Sequence, residues 1–322
     1  KILLPMSVLK FTPICVVRVW GGRSLAKVFG RDLPEGKRIG ETWEIVDRPE
    51  SQSIVAEGPL KDRTLRELIE GNSDWLLGPS WPSAKLFPIL VKWLDCTERL
   101  SLQVHPPSAI AHELGGEPKT ENWYVAKAAS GAGLIAGLKS GVSKESFGDA
   151  LNKGCLADLC HRFPSFSGDS LLVESGRIHA IDGGNLILEV QQNSDTTYRV
   201  YDWERVGLDG EPRELHVEES LRCINFADFE PEPFHSDPEA AEQVIAECDH
   251  FRICKFEIAD GQKKKLSSAG GDVALVHVLS GSLHGEGCFL KAGDTGLVPF
   301  SEDFFGQASE KTTFLVTDRF IR

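Results

Sequence analysis

Between Leu186 and Gln192 apolar and polar positions mark out a β-strand, in which side chains repeat every second residue, so Leu186, Leu188 and Val190 share one face and Ile187, Glu189 and Gln191 the other. A carboxylate and an amide on an inner strand face are costly unless they meet a metal, a hydrogen-bond network or a polar ligand. Strand-like runs recur at Leu9 to Val19, Gly40 to Val46, Phe87 to Leu94, Leu100 to Pro106 and Lys119 to Ala128, with Gly21 and Gly22 expected to end the first in a turn. A further strand ending at His179, a glycine turn and the Leu186 strand read as consecutive elements. Helical patterns are scarcer. Thr64-Leu-Arg-Glu67 is a capping box that opens a short helix expected to stop at Gly71. Ser143 reads as the N-cap of one or two small helices reaching about His161. Arg213 to Ile224 carries Val217, Leu221 and Ile224 at helical spacing, with acids early. Asp228 to Pro238, with its three prolines, reads as a linker. Beyond it, short β-rich runs alternate with glycine turns at Phe251 to Ile258, Val273 to Leu279, Cys288 to Leu290, Gly296 to Pro299 and Thr313 to Thr317.

Two pieces of the chain are alike. Gly168-Asp-Ser-Leu-Leu-Val-Glu-Ser-Gly176 and Gly293-Asp-Thr-Gly-Leu-Val-Pro-Phe-Ser301 share a Gly-Asp turn, an apolar strand and a second turn. The pattern resembles the strand that leads to a metal-ligand His in cupin barrels. The first copy runs on to His179, and the second has no His there. The expected fold is therefore mainly β: two cupin-like (jelly-roll) barrels with a small helical insertion. Residues 1–227 would form a catalytic unit with helical elaboration at about 140–162 and 213–226, residues 228–247 a linker, and residues 248–322 a second barrel without a metal site.

A chain of 322 residues is long enough for two cores. Its net charge of −13 argues against nucleic acid, and an anionic ligand would have to be caught by local positive groups. Eight cysteines are scattered without a CxxC pair, which suits reduced thiols in a cytoplasmic protein. The opening run, Lys1 to Lys10, lacks the features of a secretory leader, and no run approaches the roughly 18 apolar residues of a membrane span. A soluble monomer or weak homodimer, with no nucleic-acid or membrane partner, is expected.

Strand periodicity places Ser101, Gln103 and His105 on one polar face. With Glu121 and His179 they offer nitrogen and oxygen donors without thiolates, a set that suits zinc, manganese or iron. Taken singly each has a plain reading: a lone His is an ordinary half-buried residue, Lys92 a snorkelling cation, Arg199 the ion-pair partner of Asp195 or Asp202. No short ligand spacing such as HExxH is present.

The run from His179 through a glycine pair to Leu188-Glu-Val-Gln-Gln-Asn-Ser-Asp-Thr-Thr-Tyr-Arg-Val-Tyr-Asp202 closely resembles the type I phosphomannose isomerases. Gly40-Glu-Thr-Trp43 resembles their Gly-Glu-x-Trp segment, and the likeness extends from about Thr12 to Ile321. Departures are Asp47 and Arg177 where small residues are usual and Glu174 where Pro is usual. The resemblance implies metal ligands Gln103, His105, Glu121 and His179 holding one zinc ion per chain, an active-site arginine at Arg199, and pocket-lining Lys92, Ser101 and Lys119, of which the two lysine ammonium groups suit a phosphate. Glu189, on the same face, is the carboxylate expected to carry or orient a proton. Water on the metal, Glu189 and a lysine of lowered pKa stay open as the base. The other seven histidines match no ligand position. The implied activity is metal-dependent interconversion of mannose 6-phosphate and fructose 6-phosphate. The rivals are an isomerase of another sugar or sugar phosphate, and a non-catalytic sugar-binding cupin.

Overall fold

The computed structural model describes residues 7–267 and 270–320; residues 1–6 of the opening run and the end of the last β unit at Ile321 lie outside them. Four antiparallel sheets pack in two pairs. The first pair joins a seven-stranded sheet, in the order Phe234–His235, Asp169–Val173, Glu121–Ala128, Asn185–Gln192, Ile89–Cys96, Ile39–Ile45 and Ile14–Gly22, to a five-stranded sheet of Cys160–Pro164, Gly133–Leu138, His179–Ile181, Leu102–Val104 and Tyr198–Tyr201. The second pair joins the six-stranded sheet Leu9–Lys10, Thr295–Val298, Ala274–Ser280, Thr312–Asp318, Arg252–Ile258 and Glu242–Glu247 to a four-stranded sheet of Lys263–Ser267, Phe304–Ala308, Ser282–Gly285 and Cys288–Lys291. The molecule is mainly β, as the strand periods require.

Three apolar layers hold these sheets. Leu94, Val125, Ile187, Leu134 and Ile181 fill the first barrel alongside its polar residues. Val276, Phe314, Phe256, Leu283 and Phe304 fill the second. Between the barrels, the outer face of the seven-stranded sheet, with Leu186, Leu188 and Val190, packs on Ile253, Leu275, Leu297 and Leu315. The alternation from Leu186 to Gln192 is thus a division between two interiors. The helices Lys144–Asn152 and Val217–Cys223 cover the outer face of the five-stranded sheet, burying Phe147 and Cys223 against Leu102 and Val104.

Several local readings change. Gly21 and Gly22 lie within their strand, which continues past Val19 and ends at Gly22. A Cβ on Gly21 would lie 2.4 Å from the backbone nitrogen of Gly40, so glycine serves close approach of two strands there. The capped helix runs past Gly71 to Leu76, with a break at Asn72, because Leu76 is buried in the same core as Leu65 and Ile69. The strand, glycine turn and strand around Asp182 to Gly184 stand as read, and the turn carries the chain from one sheet to the facing one. The later helix begins at Val217, not Arg213, since the Arg213 guanidinium grips Asp202 and the Glu214 carbonyl accepts from Arg199. Within the stretch read as a linker, Phe234–His235 pairs with Asp169–Val173 and Glu242–Glu247 with Arg252–Ile258. Leu9–Lys10 pairs with Thr295–Val298, so this early strand lies in the second sheet pair.

His277 is buried on the face of the six-stranded sheet that meets the first barrel, its ring nitrogens 3.0 Å from the hydroxyls of Thr295 and Thr317. Burial drives its pKa down to about 3. Below an ordinary value near 6.5 the unfolded chain therefore binds a proton that the folded chain refuses, and this stability is lost as the pH falls from about 6.5 toward 3. In denaturant titrations between pH 6 and 4, His277→Asn should flatten the loss of stability by up to about 1.4 kcal/mol per pH unit. Parallel curves for the variant and the parent chain would contradict this.

Candidate active site

Two facing strands set the geometry. In the five-stranded sheet Gln103 pairs with His179 on one side and with Arg199 on the other, so the three side chains form a row on one face. In the seven-stranded sheet Glu189 pairs with Lys92 and Trp123, and Gln191 with Glu121. Both polar faces point into the first barrel, where His105, Glu121 and His179 are wholly buried.

His105 and His179 are oriented from behind. Each Nδ1–H donates over 2.8 Å to a backbone carbonyl, Thr196 for His105 and Arg177 for His179. Since a carbonyl only accepts, the protons sit on Nδ1 and both Nε2 lone pairs turn toward Glu121, 3.3 and 3.6 Å from its oxygens. Burial, reinforced by Lys119 at His105 and by His105 at His179, keeps both rings neutral, His179 with a pKa of about 3. Burial opposes ionisation of Glu121, yet the Lys119 ammonium at 2.6 Å outweighs it and holds the carboxyl well below its usual range.

This set passes a chemical test for a divalent cation. The donor atoms of His105, Glu121 and His179 lie within 4.8 Å of one another. Ligands about 2.1 Å from a tetrahedral ion stand roughly 3.4 Å apart, close to the His–Glu separations. Although Lys119 pairs with Glu121, neither carboxylate oxygen accepts an aligned hydrogen bond among the described residues, an expensive situation for a buried anion without a further positive partner. Gln103 stands at the rim, its amide nitrogen 3.2 Å from His179 Nε2 and its oxygen 3.3 Å from the Ser101 hydroxyl.

The remaining candidates divide by what they touch. Lys92 is no snorkelling residue: it is buried, with Glu41, Asp195 and Glu189 at 3.6, 3.7 and 3.9 Å and Trp43 beneath its ammonium. Glu189 accepts from Trp123 Nε1 at 3.2 Å, and burial together with Glu121 pushes its pKa up. Lys119 is held protonated by Glu121 and Glu189 against the cost of burial, so it is unsuited to be the base of lowered pKa. Arg199 does not pair with Asp195 or Asp202. Asp202 is taken by Arg205 and Arg213, Asp195 by Lys92, and the Arg199 guanidinium donates only to the Glu214 carbonyl, with its Nε buried and unpartnered among the described residues.

Other contributors carried no sequence signal for this role. The carbonyls of Thr196 and Arg177 are invisible in side-chain patterns, and Glu41 and Asp195 lie inside recognisable runs without any mark that they surround Lys92. The Gln-Gln-Asn-Ser run proves mainly a brace. Asn193 donates to the carbonyls of Asp47 and Phe87, Gln191 to that of Ser194, and Gln192 accepts from Thr120 N. It fixes the loop from which the Thr196 carbonyl reaches His105.

Residues 8–129 match the model of the phosphomannose isomerase type I catalytic domain. The chain is 35% identical over 300 residues to mannose-6-phosphate isomerase ManA of Bacillus subtilis (strain 168), covering 90% of this chain and 92% of that protein. It is 37% identical over 271 residues to mannose-6-phosphate isomerase of Streptococcus mutans, covering 82% of each. Among solved structures, mannose 6-phosphate isomerase from Bacillus subtilis superposes with a TM-score of 0.85 at 32% identity, covering 97% of this chain and 99% of that one. A phosphomannose isomerase from Salmonella typhimurium, 17% identical with a TM-score of 0.75 over 98% of this chain and all of that one, shares the fold.

The purified chain should retain a divalent ion through gel filtration. His179→Ala or Glu121→Gln should lower its affinity at least 10- to 100-fold, and Gln103→Ala should lower it less. Metal analysis of the eluted protein measures this; full retention by His179→Ala would remove His179 from the site.

Proposed function

The chain belongs to the type I phosphomannose isomerases, and from that footing we propose how its residues divide the work. It is a metal-dependent aldose–ketose isomerase that interconverts mannose 6-phosphate and fructose 6-phosphate. The observation that carries the assignment of roles is the row His179, Gln103, Arg199, which puts a metal-ligating imidazole and an unpaired guanidinium on one face, opposite Glu189.

The reaction removes the C2 proton of the aldose, passes through an enediol with charge on oxygen, and returns a proton to C1. We assign a zinc ion to His105, Glu121, His179 and Gln103, where it would act as a Lewis acid on the sugar oxygens. Arg199 carries the charge that develops in the enediolate, since no carboxylate neutralises it. Glu189 moves or orients the proton: it is buried, backed by Trp123, and its raised pKa lets it exchange a proton more readily near neutrality than an ordinary carboxylate. Lys119 stays a cation beside the ligands, and with Lys92 and Ser101 it lines the wall along which the sugar lies.

We place the protein in the cytoplasm as a monomer or weak homodimer without nucleic-acid or membrane partners. Its eight cysteines are free thiols, most of them pushed above their ordinary pKa by burial, which supports a reducing compartment.

Turnover of mannose 6-phosphate should disappear on chelation and return with zinc. No turnover by ion-loaded protein would transfer the reading to another sugar isomerase, or to a binding module if no sugar reacts. Arg199→Ala should keep the fold and bound ion while kcat falls by about 10²–10³. Near-normal kcat in that variant would refute the role of Arg199.

A further inference from the structure

Beside Arg199 the first barrel has an open seam. Ile14–Gly22 ends the seven-stranded sheet and Tyr198–Tyr201 ends the five-stranded one, and the two edges do not pair among the described residues. A cleft of about 410 Å³ lies there, walled by Val17, Arg18 and Val19, by Arg199, and by the loop from Gly207 to Glu214. Three arginines reach into it. Arg18 uses its Nε on Glu41, Arg213 its Nε and Nη2 on Asp202, and Arg199 its Nη1 on the Glu214 carbonyl. The other guanidinium nitrogens donate to no further partner among the described residues.

The charges in this cleft are unevenly placed. Asp209, Glu211 and Glu214 are exposed on its outer lip, while the three arginines are half-buried in its wall. Burial first, then Arg213, Arg205 and Arg18, lower the pKa of Arg199, although Asp202 opposes them. The wall therefore presents guanidinium N–H groups that the arginines' own pairs with Glu41, Asp202 and the Glu214 carbonyl leave free, in a chain of net charge −13. Lys92, the cation first expected to hold a phosphate, is buried among Glu41, Asp195 and Glu189 and has no such surplus.

We propose that Arg18 and Arg213, with Arg199 between them and the sugar, bind the 6-phosphate, so that this cleft and not Lys92 selects a phosphorylated substrate. The inference rests on the isomerase reading and extends it. An open-chain hexose places its phosphate several bonds from C1 and C2. The cleft lies outside the row in which Arg199 adjoins Gln103, so the chain of the sugar runs inward from the seam toward His105 and His179. Guanidinium forks suit a phosphate dianion because two parallel N–H donors meet two oxygens.

Steady-state kinetics with mannose 6-phosphate, using inorganic phosphate as inhibitor, test the assignment on the zinc-loaded protein and on Arg18→Gln and Arg213→Gln, with circular dichroism and metal content confirming that each variant is folded and loaded. Inorganic phosphate should compete with substrate in the parent. In each variant KM and the phosphate inhibition constant should rise together by about tenfold or more, by a larger factor than kcat falls. Unchanged KM and inhibition constant in either folded variant would overturn the proposal, as would a loss confined to kcat, which would mean that the arginines act only by holding Glu41 or Asp202. If Arg18→Gln does not fold for want of a partner for Glu41, Arg18→Lys retains the ion pair without the fork and should show the same rise. A parent that turns over no mannose 6-phosphate would count against the isomerase reading instead. Calorimetric titration of inorganic phosphate into parent and variants then decides the cleft separately, equal affinities overturning it.

Discussion

An ionised carboxylate buried inside a barrel is the constraint to which the first sheet pair answers. Taking Glu121 out of water costs several kcal/mol unless positive partners surround it, and the fold supplies one ammonium at 2.6 Å, with two neutral imidazoles facing the same space within 4 Å. Those imidazoles can act as ligand donors to a cation shared with Glu121 only if their lone pairs face inward. That orientation comes from two backbone carbonyls, and each carbonyl is itself held. Thr196 follows the loop that Gln191, Gln192 and Asn193 brace. Arg177 is clamped by paired hydrogen bonds to Asp228, at 2.8 and 2.9 Å, and by a bond to the Leu172 carbonyl. A departure from the family pattern, Arg177 in place of a small residue, thus has its own tether here.

The strand Asn185–Gln192 shows how such a site can be buried at tolerable cost. Its inward face carries Glu189 and Gln191, and these lose hydration. Its outward face gives Leu186, Leu188 and Val190 to the core between the barrels, each apolar side chain contributing roughly 1.5–3 kcal/mol on burial. The second barrel therefore supports the site without lining it. Its interior is Val276, Val278, Phe256, Phe314 and Leu283, an apolar filling unlike the charged interior of the first. The Gly293 turn, counterpart of the turn at Gly168, instead receives Trp93 Nε1 and the Arg31 guanidinium on its carbonyl. Trp93 belongs to the strand that carries Lys92, so the second copy of the motif helps to fix the site strand from outside.

Strand positions and the His105, Glu121 and His179 set were legible because both rest on local rules: period-two alternation locates a strand face, and a long run of polar residues in fixed order points to a family. What stayed hidden depends on partners distant in sequence. Gly21 looks like a turn until Gly40 is seen against it. Gly71 looks like a helix end until Leu76 is seen in the core. Lys92 looks like a snorkelling cation because nothing near it in sequence announces Glu41, Glu189 and Asp195. The polar run after Val190 was legible as important but not as to its purpose, since bracing a loop and lining a pocket call for the same residue types.

Charge placement separates chemistry from recognition. Inside the barrel each cation has its acid: Lys119 meets Glu121, and Lys92 is shared among Glu41, Glu189 and Asp195. Such balance lets charged groups be buried, and it leaves little attraction for an incoming dianion. Moving outward along the Gln103 row, Arg199 is the first cation without a carboxylate, and the arginines of the seam, each tied to one acid, keep guanidinium nitrogens free beyond it. A substrate carrying two negative charges at one end and a neutral carbonyl at the other would be oriented by this gradient alone, charged end at the surface and reacting carbons toward Glu121. The long-range repulsion of an acidic protein then matters little, since screening confines it to about 8–10 Å while the guanidinium contacts act at hydrogen-bond distance.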